Sequence, residues 1–264
     1  MKSKVSIIKI GGNIVDDAAA LDRFLSDFHR MKGRKLLVHG GGVMATTLAD
    51  RLGIATKKIN GRRITDAETL QLVTMVYAGW INKSITAALQ KLGCQAIGLS
   101  GVDAGCIPSV RRPPQPIDFG FVGDPDPARI NTSFITQLIE HALVPVFCAV
   151  THDGKGTLLN TNADTVAASL AIALSGEYDS SLYFCFETEG VLRDIHRPES
   201  LIPTMNVQEY RKLKQQGIIA DGMIPKLDNA FGAIERGVSK VWILHAKNLL
   251  SERGTVLESE PQRR

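Results

Sequence analysis

Short apolar runs of strand length alternate with amphipathic stretches along the chain, and this alternation limits the fold more than any other feature. Val5–Ile10, Lys35–His39, Gln95–Leu99, Val144–Val150, Leu182–Phe186 and Lys240–Leu244 have the length and composition of strands. Most run into glycine or polar turn residues and then into a helical period. This is the βα alternation of a mostly parallel sheet covered on both faces, an α/β class fold. Helices are predicted over Ala18–Met31, Ser133–Ala142, Ala163–Leu174, Val207–Gln216 and Lys226–Arg236. The longest begins at Thr65, where Thr65-Asp66-Ala67-Glu68 reads as a capping box. Leu70, Val73, Val76, Tyr77, Trp80, Ile81 and Ile85 then fall on one stripe.

Two segments interrupt the rhythm and read as hairpins on one rim of the sheet, about Lys57–Ile64 and about Ile107–Val122. The second carries Arg111-Arg112-Pro113-Pro114-Gln115-Pro116, whose prolines are barred from a central ladder and predict a projecting loop. A composition shift near Ser175-Gly176-Glu177 marks a lobe boundary, giving an N-terminal lobe over 1–176 and a C-terminal lobe over 177–264. With 264 residues, 44% of them hydrophobic, the chain can bury one large core or two smaller ones.

Composition excludes several functions. A formal charge of +4, spread thinly except at Lys57/Lys58, Arg62/Arg63 and Arg111/Arg112, is too small for a nucleic-acid footprint, although such pairs suit a small anion. Cys94, Cys106, Cys148 and Cys185 lie far apart without metal-ligand spacing and read as buried thiols of a cytoplasmic protein. No apolar run approaches the roughly 18 residues that span a bilayer, and the N-terminus leads straight into a strand instead of a signal peptide. No appended domain is expected at either end.

Four constellations carry the chemistry. Lys9-Ile10-Gly11-Gly12-Asn13 closes the first strand, where glycine N–H groups can approach an anion. A lysine within an otherwise apolar strand either meets that anion or reaches solvent. His39-Gly40-Gly41-Gly42 follows the second strand and forms either a phosphate-cradling nest or a plain tight turn. Asn160-Thr161-Asn162-Ala163-Asp164 opens a helix; Asn162 and Asp164 serve as cap and dipole partner, or orient a substrate and a catalytic lysine. Asp221-Gly222-Met223-Ile224-Pro225-Lys226 puts a lysine at a helix N-terminus, unfavourable unless both address an anion. No Ser-His-Asp, Cys-His or HExxH set is evident, which removes hydrolase and metalloenzyme readings. Two nests, two lysines and an acidic residue suit stabilisation of transferring phosphoryl oxygens.

These motifs resemble the amino-acid kinase family, and within it the N-acetyl-L-glutamate kinases of arginine biosynthesis. The match runs in order through IIKIGGN, LVHGGG, KKINGRRIT, DFGFVGD, LLNTNADTVA and IIADGMIPKL. The resemblance implies an open, mainly parallel eight-stranded sheet between helices in three α/β/α layers. It also implies an N-terminal lobe for the acyl-amino acid and a C-terminal lobe for ATP. Lys9 and Lys226 would flank the transferring phosphoryl, with Asp164 holding both ammonium groups. Gly12, Gly41 and Gly42 would donate backbone N–H bonds to β/γ-phosphate oxygens, Arg63 would bind the substrate α-carboxylate, and Asn160 would hold its amino-acid end. ATP would bring Mg²⁺ bound through its phosphates, with no metal site on the protein. The expected reaction phosphorylates the γ-carboxylate of N-acetyl-L-glutamate in a homodimer insensitive to arginine. Strand one starts by Val5, before any room for the extra N-terminal helix of arginine-inhibited members.

One departure stands out. The family usually has Thr/Ser-Asp shortly before Gly-Val-Leu, whereas this chain reads Phe186-Glu187 ahead of Gly190-Val191-Leu192. That change keeps a catalytically weak regulatory homologue among the alternatives. An N-succinyl-L-glutamate substrate is another, with Arg111 or Arg112 as partner for the second carboxylate. Glutamate 5-kinase or aspartokinase would bring an extra domain, and carbamate and UMP kinases lack the NGRRIT and NTNAD pairing.

Overall fold

The computed structural model describes residues 2–59, 62–219 and 223–259. Eight strands form the main sheet: β1 (Lys4–Ile10), β2 (Arg34–His39), β3 (Ala96–Leu99), β4 (Val144–Cys148), β5 (Asp179–Phe186), β6 (Thr204–Met205), β7 (Lys240–His245) and β8 (Gly254–Leu257). Their order is β6-β8-β7-β5-β1-β2-β4-β3, and every pairing is parallel except β7 with β8. The sheet therefore runs unbroken across residue 176, with β1 paired to both β2 and β5.

Period-two alternation divides the core into the two faces of this sheet. Val5, Ile7, Leu182 and Phe184 face one cluster, roofed by α6 (Thr132–Glu140), α7 (Ala163–Leu174), α8 (Val207–Gln215) and α9 (Met223–Glu235). Ile8, Ile10, Tyr183 and Cys185 face the other, beneath α2 (Ala18–Arg30), α3 (Gly42–Leu52), α4 (Ala67–Thr74) and α5 (Asn82–Lys91). The sheet is thus covered on both faces, the three-layer arrangement that βα alternation predicts.

Several expectations shift in detail. The run Val144–Val150 splits: β4 ends at Cys148, and Val150 opens an unforeseen hairpin of Val150–His152 with Leu158–Asn160. The two expected hairpins form, Lys58–Ile59 with Arg62–Arg63 and Ser109–Arg111 with Gly123–Pro125. Asn60 and Gly61, between the two strands of the first, lie outside the described residues, as do Asp221 and Gly222 ahead of α9. The capping box does not form at Thr65: Asp66 caps α4, its carboxylate accepting from Thr69 N–H at 2.8 Å. Thr65 is instead buried, its hydroxyl donating to the Arg63 carbonyl and accepting from Asn160. The long helix also changes period, with α4 and α5 joined by a π-helical segment over Met75–Ile81. Its wider turn breaks the expected stripe: Val76, Tyr77 and Ile81 point inward, while Trp80 is 67% exposed.

Candidate active site

Chain order reverses on either side of β1, and ligand crevices of open α/β sheets form at such switch points, beyond the carboxyl ends of the strands. Lys9 is the penultimate residue of β1 and is 7% exposed. Alternation turns it to the α7/α9 face, where its ammonium lies 2.7 Å from Asp164 Oδ1. That is a close ion pair but not an aligned hydrogen bond, so Oδ1 is buried with no hydrogen-bond donor. Asp164 stands in the first turn of α7, whose cap is Asn162, accepting from Thr165 N–H at 3.1 Å. Cap and ion-pair partner are thus separate residues.

Lys226, in the first turns of α9, brings its ammonium to 3.6 Å from the Phe186 ring centroid; that of Lys9 lies 4.9 Å from the same centroid. Burial draws the Lys226 pKa below the ordinary lysine value; Asp164 and Glu187 oppose that shift and Lys9 adds to it. Two lysines and Asp164, far apart in sequence, therefore share one electrostatic neighbourhood.

The glycine segments lie beside them. Gly12 begins the short helix α1 (Gly12–Asp16) and Gly42 begins α3, and no side chain caps either. Their leading N–H groups remain available to an anion. At Gly41 a Cβ would collide with Ile81 and come within 2.9 Å of Tyr77 Cδ1, so the π-helical segment packs against the nest at a distance only glycine permits. His39 underlies this nest. Its Nδ1–H donates to the Gly40 carbonyl at 2.7 Å, and Nε2 accepts from Asn82 Nδ2 at 3.0 Å. Complete burial holds its pKa down at about 4, so the ring is neutral and packed, not a base.

Between the nests opens a cavity of about 290 Å³ lined by Lys9, Gly12, Gly41, Gly42, Arg63 and Asn160 together with Lys58, Arg62 and Tyr77. Four cationic side chains and no carboxylate line it among the described residues. Arg63 is 5% exposed; its Nη2 donates to the Gly42 carbonyl (2.8 Å) and to Thr46 Oγ1 (2.7 Å). Its Nε and Nη1 are buried without acceptors, so one donor on each side of the engaged Nη2 remains open to an anion. Asn160 is held through Nδ2, which donates to Thr65 Oγ1 at 3.0 Å.

Sequence reasoning had not assigned Lys58, Arg62, Thr46 or Tyr77 to the site. The paired charges were a visible signal for the first two. Tyr77 was hidden in the apolar stripe, though a phenol there needs a polar neighbour and Arg63 supplies a charge beside it.

The model of the amino acid kinase family matches residues 4–245. Acetylglutamate kinase of Phocaeicola vulgatus is 52% identical over 98% of this chain and all of its own length. That of Cytophaga hutchinsonii is 52% identical over 94% of this chain and 93% of its own. The chain belongs to the amino acid kinase family. Among solved structures of the same fold, N-acetylglutamate synthase of Neisseria gonorrhoeae superposes with a TM-score of 0.81. It covers 98% of this chain and 60% of its own at 21% identity, a likeness of fold alone.

Proposed function

We propose that this family member transfers the γ-phosphoryl of ATP to the γ-carboxylate of N-acetyl-L-glutamate, the first acyl-phosphate step toward arginine. The observation that carries the reading is the carboxylate-free cationic cavity between two glycine nests, lined by Lys9, whose ion-pair partner Asp164 lies outside that lining. The acetylglutamate kinases at 52% identity support the substrate. Gly12, Gly41 and Gly42 donate N–H bonds to β/γ-phosphate oxygens. Arg63, whose Nε and Nη1 lack acceptors, offers an unpaired donor to the α-carboxylate, and Asn160 holds the amino-acid end. The substrate γ-carboxylate is ionised at neutral pH and attacks without a general base. Lys9 and Lys226 neutralise the charge that spreads over the phosphoryl oxygens in the transition state; Asp164 is ion-paired to Lys9 and reaches Lys226 only through its field. Mg²⁺ would come with ATP, held through the nucleotide phosphates, and would neutralise phosphate charge there.

On the same reading residues 1–176 hold the acyl-amino acid and the dimer contact, and 177–264 hold ATP. Trp80, Met75 and Leu52, all exposed, support an apolar self-interface, and the four free thiols support a cytoplasmic setting. The homodimer is proposed to be insensitive to arginine.

A second reading has an observation of its own. Arg112 Nη2 lies 2.6 Å from Asp124 and Arg62 Nη1 lies 3.7 Å from the same oxygen, leaving Arg62 Nη1 and Arg112 Nε without hydrogen-bond acceptors. Because Arg62 lines both this cluster and the main cavity, a longer N-succinyl group would bring its carboxylate to it. Arg111 is an unsuitable partner, its guanidinium stacked 4.8 Å over Phe121 on the surface.

The deciding experiment incubates the protein with Mg-ATP and, separately, N-acetylglutamate, N-succinylglutamate, glutamate and aspartate, and traps acyl phosphate with hydroxylamine. Hydroxamate from N-acetylglutamate above the other three supports the main reading, and preference for the succinyl compound supports the second. Silence across all four leaves a regulatory homologue.

A further inference from the structure

The substitution that set this chain apart as a sequence places an aromatic ring at the phosphoryl-transfer point. Phe186 is the last residue of β5, and alternation puts it on the same face as Phe184, whose register partner in β1 is Lys9. Its ring is 4% exposed and stacks on that of Phe184 at 6.1 Å and 13°. Behind it lies Gly11, where a Cβ would be 3.6 Å from Phe186 Cδ1. The ring is therefore fixed from two sides, and the ammonium groups of Lys226 and Lys9 lie 3.6 and 4.9 Å from its centroid.

We propose that Phe186 is a positioning residue for phosphoryl transfer, its ring face holding the Lys226 ammonium, and more weakly that of Lys9, where the transferring group arrives. This rests on the kinase reading of the site. Lys226 carries a long flexible stem in the first turns of α9, so its charge needs an anchor. Among the described residues it has no carboxylate at ion-pair distance; Lys9 has taken Asp164. The negative face of a buried aromatic ring attracts an ammonium within about 6 Å. Unlike a carboxylate, it carries no net charge that would compete with the phosphoryl for the same lysine. The ring thus holds Lys226 in place and still releases it to the charge that develops in the transition state.

The same contact bears on protonation. The charged groups facing Lys226 are Asp164 from α7, Lys9 from β1 and Glu187 just beyond β5, and burial opposes its charge. The ring face favours the ammonium form, so weakening it lowers the pH at which Lys226 loses its proton.

The test replaces Phe186 in the full chain by phenylalanines bearing one, two and three ring fluorines, which drain charge from the ring face with little change of size. The expected result is a stepwise fall in kcat, roughly 5- to 30-fold over the series, with KM for the acyl-amino acid unchanged and the alkaline limb of the kcat profile moving to lower pH. Phe186→Leu should fall with the trifluoro variant, and Phe186→Tyr should stay near wild type. A flat kcat and an unmoved alkaline limb across the fluorinated series would overturn the proposal. Lys226→Ala separates the two ideas. If that variant is inactive while the series is flat, only the role of the ring fails; if it turns over at the wild-type rate, the kinase assignment of Lys226 fails and the ring proposal with it.

Discussion

An ammonium at the end of a buried strand persists only where something compensates its lost hydration. Lys9 has Asp164 at 2.7 Å and the Phe186 ring at 4.9 Å, yet neither is an aligned hydrogen bond. Both lysines are thus held electrostatically and remain free to bond a phosphoryl oxygen. Removing either donor, by Lys9→Ala or Lys226→Ala, should cost roughly 10²–10³ in kcat, measured by hydroxamate formation at saturating substrates. His39 makes a stability prediction of known sign. Its pKa is about 4 in the fold against an ordinary 6.5, so between those limits the unfolded chain binds a proton that the native chain refuses. Stability is fully present above pH 6.5 and falls as pH drops toward 4, by about 1.4 kcal/mol per unit and roughly 3 kcal/mol in all. Urea denaturation at pH 7 and pH 4.5 should reveal this slope, and His39→Asn should flatten it.

Elements decide which of two neighbouring residues does which task. Thr65 and Asp66 both suit a helix cap, and the chain uses Asp66 because Thr65 is bonded to Arg63 and Asn160. Asp66→Ala should therefore lose about 1 kcal/mol, a fall in Tm of roughly 2–4 °C, with kinetics unchanged. Thr65→Val should instead raise KM for the acyl-amino acid several-fold through Asn160, with a separate stability cost. A capping effect on Tm from Thr65 alone would contradict this division. The π-helical segment shows what propensity conceals. Apolar spacing at a period of 3.6 predicts one stripe that includes Trp80, but the turn widens over Met75–Ile81, and Trp80 is exposed while Tyr77 and Ile81 face Gly41. No local residue pattern announces that widening; packing against the nest accompanies it.

At the scale of the whole molecule, one sheet passes through both proposed lobes, and β1, the strand that carries Lys9, pairs with β2 on one side and β5 on the other. Unfolding should be a single calorimetric transition despite the two substrates, because neither half keeps its central strand pairing without the other. Mg-ATP at a hundred times its Kd should stabilise that transition by about 2.7 kcal/mol without splitting it; two separate transitions would contradict the continuous sheet. Six of the eight sheet strands, their alternation with helices and both glycine segments are legible in the sequence, since period and turn chemistry are local; β6, β8 and the hairpin of Val150–His152 with Leu158–Asn160 are not, and the roles proposed for the eight site residues rest on the family resemblance. The sequence by itself determined which chemical groups the protein has and that each lies at a strand or helix end. Only the tertiary structure decided that Lys9 pairs with Asp164, that Arg62 and Lys58 join Arg63 around one cavity, and that the Phe186 ring lies beside two lysine ammoniums. Those contacts join residues more than a hundred positions apart or depend on side-chain direction, and it is the register of β1 against β5 and the docking of α7 and α9 that bring the charges together.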